Sequence, residues 1–422
     1  MKSNPRKIAY RLLEEWEQKK TFPNLALKNA LRNIGEERDR RFITALVYGV
    51  VERKITLDHF INQCLSTKKI ETSVRCVLRM GIYQMFYMSI PASAACNTSV
   101  ELIKERGLTR SAALVNAVLR RCDREREELM ALKKADFSLR YSIDPQLVER
   151  LLEQYGKETF VSMMEGMKKP ETAIYLFHNI KKVNAESFLQ QMNQEGIALE
   201  PTEFPHLYRA SDGFSPEHSK AYQDGFYHIV GHHSAQAALL MPEGAKKVMD
   251  LCAAPGGKTM ILATIGKATV HSFDLHEHKV SLLQKEAKRL AHQNITVRQQ
   301  DGTQALPEHL ETADFVLCDV PCSGLGMMGK KPDIKYKNYN SEEFTSVQTA
   351  ILSNGASYLK RGGRLVYSTC TIDRRENEQL ITCFLQSHPE FSLDQSVLDR
   401  GEKLYLPLNG GDGFYIAVLK KD

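Results

Sequence analysis

The chain has 422 residues, 42% hydrophobic and 26% charged, a globular composition with room for two or three domains. No apolar run approaches the roughly 18 residues of a membrane span, and the polar start Met1-Lys-Ser-Asn-Pro-Arg6 is unlike a signal peptide, so a soluble, cytoplasmic protein away from the membrane is expected. The net charge of +6 is uneven: residues 1–135 carry 26 Lys/Arg against 15 Asp/Glu, or +11, and the remainder carries −5. A basic part joined to a mildly acidic one suits a polyanion held by the first and worked on by the second.

Residues 5–130 read as helices. Ile8, Leu12, Leu13 and Trp16 form one apolar face, and Phe42, Leu46, Val50 and Val51 form another. A more buried helix spans Val77 to Tyr87 and stops before Pro91, with helices over Asn97–Arg106 and Ser111–Arg121 after it. An all-α bundle over 1–135 is expected, its basic residues including Arg38, Arg40, Arg41, Arg120, Arg121 and Arg124. A helical connector over 136–170 opens at Asp144-Pro145, a good N-cap followed by a good first helical residue.

Residues 171–230 read as a small α+β module, with strands at Ala173–Phe177 and Gly225–Val230 and a helix over Asn184–Gln194. From 231 to 422 strands and helices alternate. Strands are expected at Lys247–Leu251, Thr269–Phe273, Ile295–Arg298, Phe315–Cys318 and Arg364–Tyr367. Helices are expected at Thr259–Ile265, Lys279–His292, Ser341–Leu359 and Glu376–Gln386, and a late hairpin pairs Lys403–Leu406 with Phe414–Leu419. The pattern predicts an α/β domain with a mostly parallel sheet and an antiparallel C-terminal edge.

Parallel sheets bind ligands at the carboxyl ends of their strands. There lie the turn Asp250-Leu-Cys-Ala-Ala-Pro-Gly-Gly-Lys-Thr259, the acids Asp274, Asp301 and Asp319, and two cysteine segments, Asp319-Val-Pro-Cys-Ser323 and Ser368-Thr-Cys-Thr371. The turn is a poor phosphate loop, because Cys252 stands where the first glycine of a Walker motif belongs. An isolated Asp is usually a turn residue. Acids at successive strand ends instead suit a ribose diol and an adenine amino group, hence a nucleoside cofactor without pyrophosphate, S-adenosylmethionine.

Nine cysteines without CxxC pairs argue against a zinc or disulfide framework, and no metal is expected. Cys64, Cys76, Cys96, Cys122, Cys318 and Cys383 read as inert buried residues. Cys322 and Cys370 stand apart, because each follows a strand at the ligand edge. His232 and His233 lack partners at ligand spacing and read as surface or packing residues.

Together with Asp412-Gly-Phe-Tyr415, the three motifs resemble those of the RNA cytosine-5 methyltransferases of the Nol1/Nop2/Sun family, and the helical N-terminal part is similar to the NusB fold. That combination resembles the bacterial Sun/Fmu (RsmB) enzymes over essentially the whole chain. The resemblance implies a Rossmann-like S-adenosylmethionine-dependent methyltransferase domain preceded by an all-α NusB-like RNA-binding bundle and a small α+β RNA-positioning module. It implies cofactor contacts from Cys252, Ala253, Ala254, Pro255, Gly256, Gly257, Lys258, Asp274, Asp301 and Asp319. It also implies a monomer that methylates carbon 5 of cytosine 967 in 16S ribosomal RNA, unassembled or early in subunit assembly.

Carbon 5 of cytosine is a weak nucleophile until a thiolate adds at carbon 6 and makes an enamine. A protonated acid at N3, for which Asp319 is the matching group, would aid the addition. The residues leave open which thiol attacks. The resemblance assigns attack to Cys370 and product release to Cys322. A helix N-terminus near Glu376 is placed to lower the Cys370 pKa. Lys258 is placed to orient Asp319 or Cys370, and Lys330, Lys331 and Lys335 suit RNA phosphates.

The chain departs from the family pattern at Gly329, at Val230-Gly-His-His-Ser234 and at Tyr175-Leu-Phe-His-Asn179, which bear on RNA positioning. The alternative from another class is an RNA-binding assembly factor with an inactive catalytic domain.

Overall fold

A computed structural model describes residues 4–19, 24–66, 69–169, 173–211, 214–336 and 341–422. The start Met1–Ser3 and the domain boundary expected near 171 lie outside the described residues. The chain forms two compact units, one of residues Met1–Phe160 with Lys330–Lys337, the other of Val161–Gly329 with Asn338–Asp422.

The described residues of the first unit are helical. Helices at Pro5–Lys19, Glu37–Glu52, Lys54–Cys64, Thr72–Tyr87, Ala92–Glu105 and Ala112–Arg124 close around one core that buries Trp16, Leu46, Phe60 and Leu119. The apolar faces read from the sequence are those turned inward. Arg79 lies in this core at 3% exposure. Its guanidinium bonds Glu17 at 2.6 Å and both oxygens of Asp58 at 2.7 Å, which meets the large cost of burying a charge. Arg40 and Arg41 pair with Glu37, and Arg121 with Glu125, so part of the expected basic surface is neutralised locally. Tyr336 packs against Trp16 with centroids 6.4 Å apart and donates its hydroxyl to the Val51 carbonyl at 2.6 Å.

Asp144 opens the helix Pro145–Met167 as its cap, accepting the Gln146 N–H at 2.9 Å. The helix is broken at Gly156, a kink the sequence pattern did not reveal.

In the second unit the small module is a four-stranded antiparallel sheet of β1 (Ile174–His178), β2 (Leu199–Pro201), β3 (Leu207–Ala210) and β4 (Tyr227–Ile229), ordered β2-β3-β1-β4. β2 and β3 are too short to show an alternation in sequence. Phe188 and Met192 of the helix Ala185–Gln194 pack on this sheet with Leu176 and Tyr227. Lys181 donates to the Ala263 and Gly266 carbonyls at 2.6 Å, and the Arg289 guanidinium lies 3.8 Å from the Tyr222 ring centre, fixing the module to the helices that follow.

Those helices flank an eight-stranded sheet. β5 (Lys247–Asp250), β6 (Thr269–Asp274), β7 (Ile295–Gln299), β8 (Ala313–Asp319) and β9 (Leu359–Thr369) are parallel. β10 (Phe391–Leu393), β11 (Glu402–Tyr405) and β12 (Phe414–Lys421) add the antiparallel edge, in the order β10-β12-β9-β8-β5-β6-β7 with β11 paired to β12. The order reverses between β5 and β8, the switch point where such sheets open a crevice. The expected hairpin is therefore present, with β10 as an unforeseen third strand. Cys383, expected to be buried, is exposed on the helix Glu378–Ser387, whose inner face is filled by Leu380, Ile381 and Phe384.

Candidate active site

The glycine turn joins β5 to the helix Gly257–Ile265 and is tied down by its own backbone. The Ala253 N–H donates to the Phe273 carbonyl at 2.9 Å, and the Ala254 N–H to Asp274 Oδ2 at 3.2 Å. A cis peptide bond links Ala254 to Pro255, and Gly256 has φ +113°. A Cβ at Gly256 would lie 2.6 Å from the tip of the Leu283 side chain, which can give way, so it is the positive φ that demands glycine. Burial pushes the Cys252 thiol well up.

Asp274 Oδ1 accepts the His276 N–H at 3.0 Å, with Lys279 Nζ 3.8 Å away. Asp301 Oδ1 accepts the Thr303 N–H at 2.9 Å and its hydroxyl at 2.7 Å. Asp274 ends β6, Asp301 lies two residues past β7, and Asp319 ends β8, so the three acids share the carboxyl edge of the sheet.

Asp319 is the most fully engaged of them. Lys258 Nζ meets its Oδ2 at 2.7 Å, and the Ser368 hydroxyl donates to Oδ1 at 2.7 Å. Two donors on the two oxygens suit a carboxylate. The same lysine lies 5.4 Å from the Phe414 ring centre. Of its two expected targets, Lys258 takes Asp319, which leaves no phosphate-binding lysine in the turn. Behind them Asp250 takes the Thr259 hydroxyl at 2.7 Å. Complete burial raises the Asp250 carboxyl to about 7, and the charge of Asp319 adds to this.

Cys322 and Cys370 are brought together, their sulfurs 3.3 Å apart. The Cys322 thiol is raised well above its ordinary value by its hydrogen bond with Cys370, then by burial and by the charges of Cys370 and Glu376. The two sulfurs thus share one hydrogen bond, in which either thiol can be the donor. The helix expected to start at Glu376 starts at Glu378. Asn377 holds the preceding loop back, accepting the Thr369 hydroxyl at 2.7 Å and donating to the Thr371 carbonyl at 3.1 Å. From this loop the Glu376 carboxyl accepts the N–H of Ser323, next to Cys322, and lies 3.5 Å from the hydroxyl of Thr371, next to Cys370.

His232 bonds Glu203 at 3.1 Å and packs against Tyr175 and Phe204, while His233 stacks on Tyr405 at 3.9 Å. Among the described residues no three His, Cys, Asp or Glu side chains form a metal-binding group. Lys335 donates to the Tyr141 carbonyl at 3.3 Å within the first unit, whereas Lys330 and Lys331 are exposed.

Sequence reasoning missed Ser368, Phe414, Thr371 and Glu376 as contributors. The first three lay inside motifs already singled out. Glu376 sits in the polar run Asp373-Arg-Arg-Glu-Asn-Glu378, where nothing in the pattern shows which acid reaches the cysteine loops; Asp373 is buried as well.

The edge thus offers carboxylates at adjacent strand ends and a glycine turn whose lysine is already paired. That donor set repels phosphates and matches a nucleoside with a cationic sulfonium, so the residues present fit S-adenosylmethionine. Fold and site define an S-adenosylmethionine-dependent methyltransferase.

Residues 237–420 match the family described as 16S rRNA methyltransferase RsmB/F, and residues 3–124 match the NusB family. The chain is 34% identical to "Probable ribosomal RNA small subunit methyltransferase B" of Bacillus subtilis (strain 168), over 100% of this chain and 99% of that protein. It is 30% identical to the ribosomal RNA small subunit methyltransferase B of Serratia proteamaculans (strain 568), over 93% of each chain. The fold is similar to the crystal structure of PH0851, with a TM-score of 0.79 and 23% identity over 100% of both chains. The chain belongs to the RsmB/F family of ribosomal RNA methyltransferases.

Proposed function

We propose that this chain methylates carbon 5 of one cytosine in small-subunit ribosomal RNA, cytosine 967 of 16S RNA, through a covalent adduct with Cys370. The observation that carries this is the pair of sulfurs 3.3 Å apart beside the Lys258–Asp319 ion pair. S-adenosylmethionine, held by the turn Cys252–Lys258 with Asp274 and Asp301, supplies the methyl group.

Cys370 adds as a thiolate to carbon 6 of the base. Cys322, carrying the proton between the two sulfurs, is the partner that stays neutral during addition. Asp319 meets the N3 edge of the ring, and the Lys258 ammonium behind it provides a proton as charge grows there. After methylation the carbon-5 proton passes to water acting as base, its C–H electrons re-form the C5=C6 double bond, and the C6–S bond breaks with its electrons returning to Cys370, a thiolate to which Cys322 donates its S–H as it helps release. The family names and the NusB-like unit support a ribosomal RNA substrate in the cytoplasm. Its stage, unassembled or early small-subunit RNA, and a monomeric enzyme complete the reading, with Lys330 and Lys331 on the phosphates and the small module placing the RNA.

The test is denaturing electrophoresis of enzyme with 16S RNA and cofactor. Cys370→Ala is expected to abolish methyl transfer without an adduct, and Cys322→Ala to accumulate a protein–RNA adduct. An adduct that survives in Cys370→Ala and is lost in Cys322→Ala reverses the roles. RNA binding without methyl transfer by the unmodified enzyme favours the assembly-factor alternative. Bisulfite sequencing of the RNA product checks the position.

A further inference from the structure

One buried carboxylate at the site has no part in the chemistry above. Glu376 is 1% exposed. Its Oε2 accepts the Ser323 N–H at 2.9 Å and the Gln348 side-chain amide at 2.8 Å. Its Oε1 lies 3.5 Å from the Thr371 hydroxyl, which in turn is 2.7 Å from the Ser323 hydroxyl. The same Gln348 amide donates to the Pro321 carbonyl at 3.0 Å, and the Glu376 carbonyl accepts the Tyr367 hydroxyl at 2.7 Å. Pro321 and Ser323 flank Cys322 in sequence, and Thr371 follows Cys370.

Burying a carboxyl is costly unless its oxygens are satisfied, and an apolar side chain would fill the same space at less cost. Here the satisfying donors are drawn from both cysteine loops and from the helix Ser341–Tyr358 that backs them. We propose that Glu376 is a positioning residue that clamps the Cys322 loop to the Cys370 loop and so sets the relative reactivity of the two sulfurs. This rests on the proposed covalent chemistry for its purpose, but not for its geometry. Two further facts agree with it. The charge of Glu376 acts to raise the Cys322 thiol, and burial raises the carboxyl of Glu376 itself.

The experiment reads the thiols directly, in the full chain without RNA. Iodoacetamide labelling of Cys322 and Cys370, quantified by peptide mass spectrometry across pH 6–10, gives their rate ratio. In the unmodified enzyme Cys370 is expected to label first. Glu376→Gln removes the charge, while its side-chain carbonyl can still accept the Ser323 N–H and the Gln348 amide. It is expected to raise the Cys322-to-Cys370 ratio about tenfold, the change given by one unit of thiol pKa. Gln348→Ala, which loosens the same clamp and leaves the acid in place, is expected to raise the ratio by a smaller factor, and it decides the matter should Glu376→Gln not fold. An unchanged ratio and pH profile overturn the proposal, even where turnover falls, since lost stability alone would lower turnover. Failure of the covalent reading is separate: it would appear as methyl transfer persisting in Cys370→Ala while the labelling ratio still answers to Glu376.

Discussion

Lys258 and Asp319, brought together from the glycine turn and the end of β8, form an ion pair at 2.7 Å. Lys258 is 11% and Asp319 27% exposed at the side chain, so the pair is largely screened from water and its Coulomb energy is correspondingly effective. In this arrangement the turn holds the acid with its lysine side chain, which leaves the proposed cofactor contacts to the turn's backbone.

Replacing Lys258 by Met keeps the length of the side chain and removes the charge. Asp319 then retains the Ser368 donor alone. The expected outcome is a fall of about 100-fold in kcat, within the range for losing assisted proton transfer. Cofactor affinity, read by calorimetry, should change little, because the turn's other contacts are backbone ones. A large loss of cofactor binding with kcat preserved would assign Lys258 to the cofactor instead.

Gly326 tests how tightly the cysteine loops are packed. Its N–H donates to the Cys370 carbonyl at 3.0 Å, and its own carbonyl accepts the Gly413 N–H at 2.9 Å. A Cβ there would stand 2.3 Å from the Gly413 carbonyl oxygen, backbone that has no flexible end to give way. Gly326→Ala is expected to cost roughly 1–3 kcal/mol in thermal or denaturant unfolding, as overpacking does. It should also lower adduct formation, because the Cys322 and Cys370 loops separate. A variant with unaltered stability and adduct yield would show that this approach is not needed.

Most of this site was legible in the sequence because parallel strands deliver motif residues to one edge. Asp274, Asp319 and Cys370 could be placed from the strand pattern alone, and the structure puts them on that edge. The pairings were harder to see. Ser368 faces Asp319 because β8 and β9 run in register, a fact that depends on tertiary pairing of residues 49 apart. Glu376 was misread as part of a helix because acidic residues often open helices, whereas the bonds of Asn377 to Thr369 and Thr371 delay the helix by two residues. The break at Gly156 and the short strands β2 and β3 carried too little periodicity to register.

Acid stability should be set partly by the first unit. Glu17 is held at about 2, far below its ordinary value of 4.5, and although burial opposes this, the Arg79 and Lys54 charges prevail. A depressed carboxyl stabilises the fold above its unfolded pKa and loses that contribution as pH falls from about 4.5 through about 2. The shift corresponds to roughly 3 kcal/mol by linkage. Glu17→Gln is expected to lower the stability at pH 7 and to flatten its decline between pH 5 and pH 2, as followed by circular dichroism of the helices. An equal slope in both proteins would place the acid sensitivity elsewhere.

The sulfur pair gives the last prediction. Thiols in hydrogen-bonding contact need only a modest movement to form a disulfide, whose sulfurs lie about 2.05 Å apart. Diamide would take two electrons and two protons from Cys322 and Cys370, joining their sulfurs and becoming a hydrazine. The product has no thiolate to add to a base, so methyl transfer should be lost and should return with dithiothreitol. Cys76, which burial pushes to about 12, and Cys318, which burial raises further, should not compete, because neither forms thiolate near neutral pH. Non-reducing peptide mapping should find the Cys322–Cys370 crosslink, and Cys322→Ala should withstand diamide with no such crosslink and with its RNA adduct still formed. Inactivation of Cys322→Ala at the unmodified enzyme's rate would mean that oxidation strikes Cys370 alone, and that the contact between the two sulfurs does not govern their reactivity.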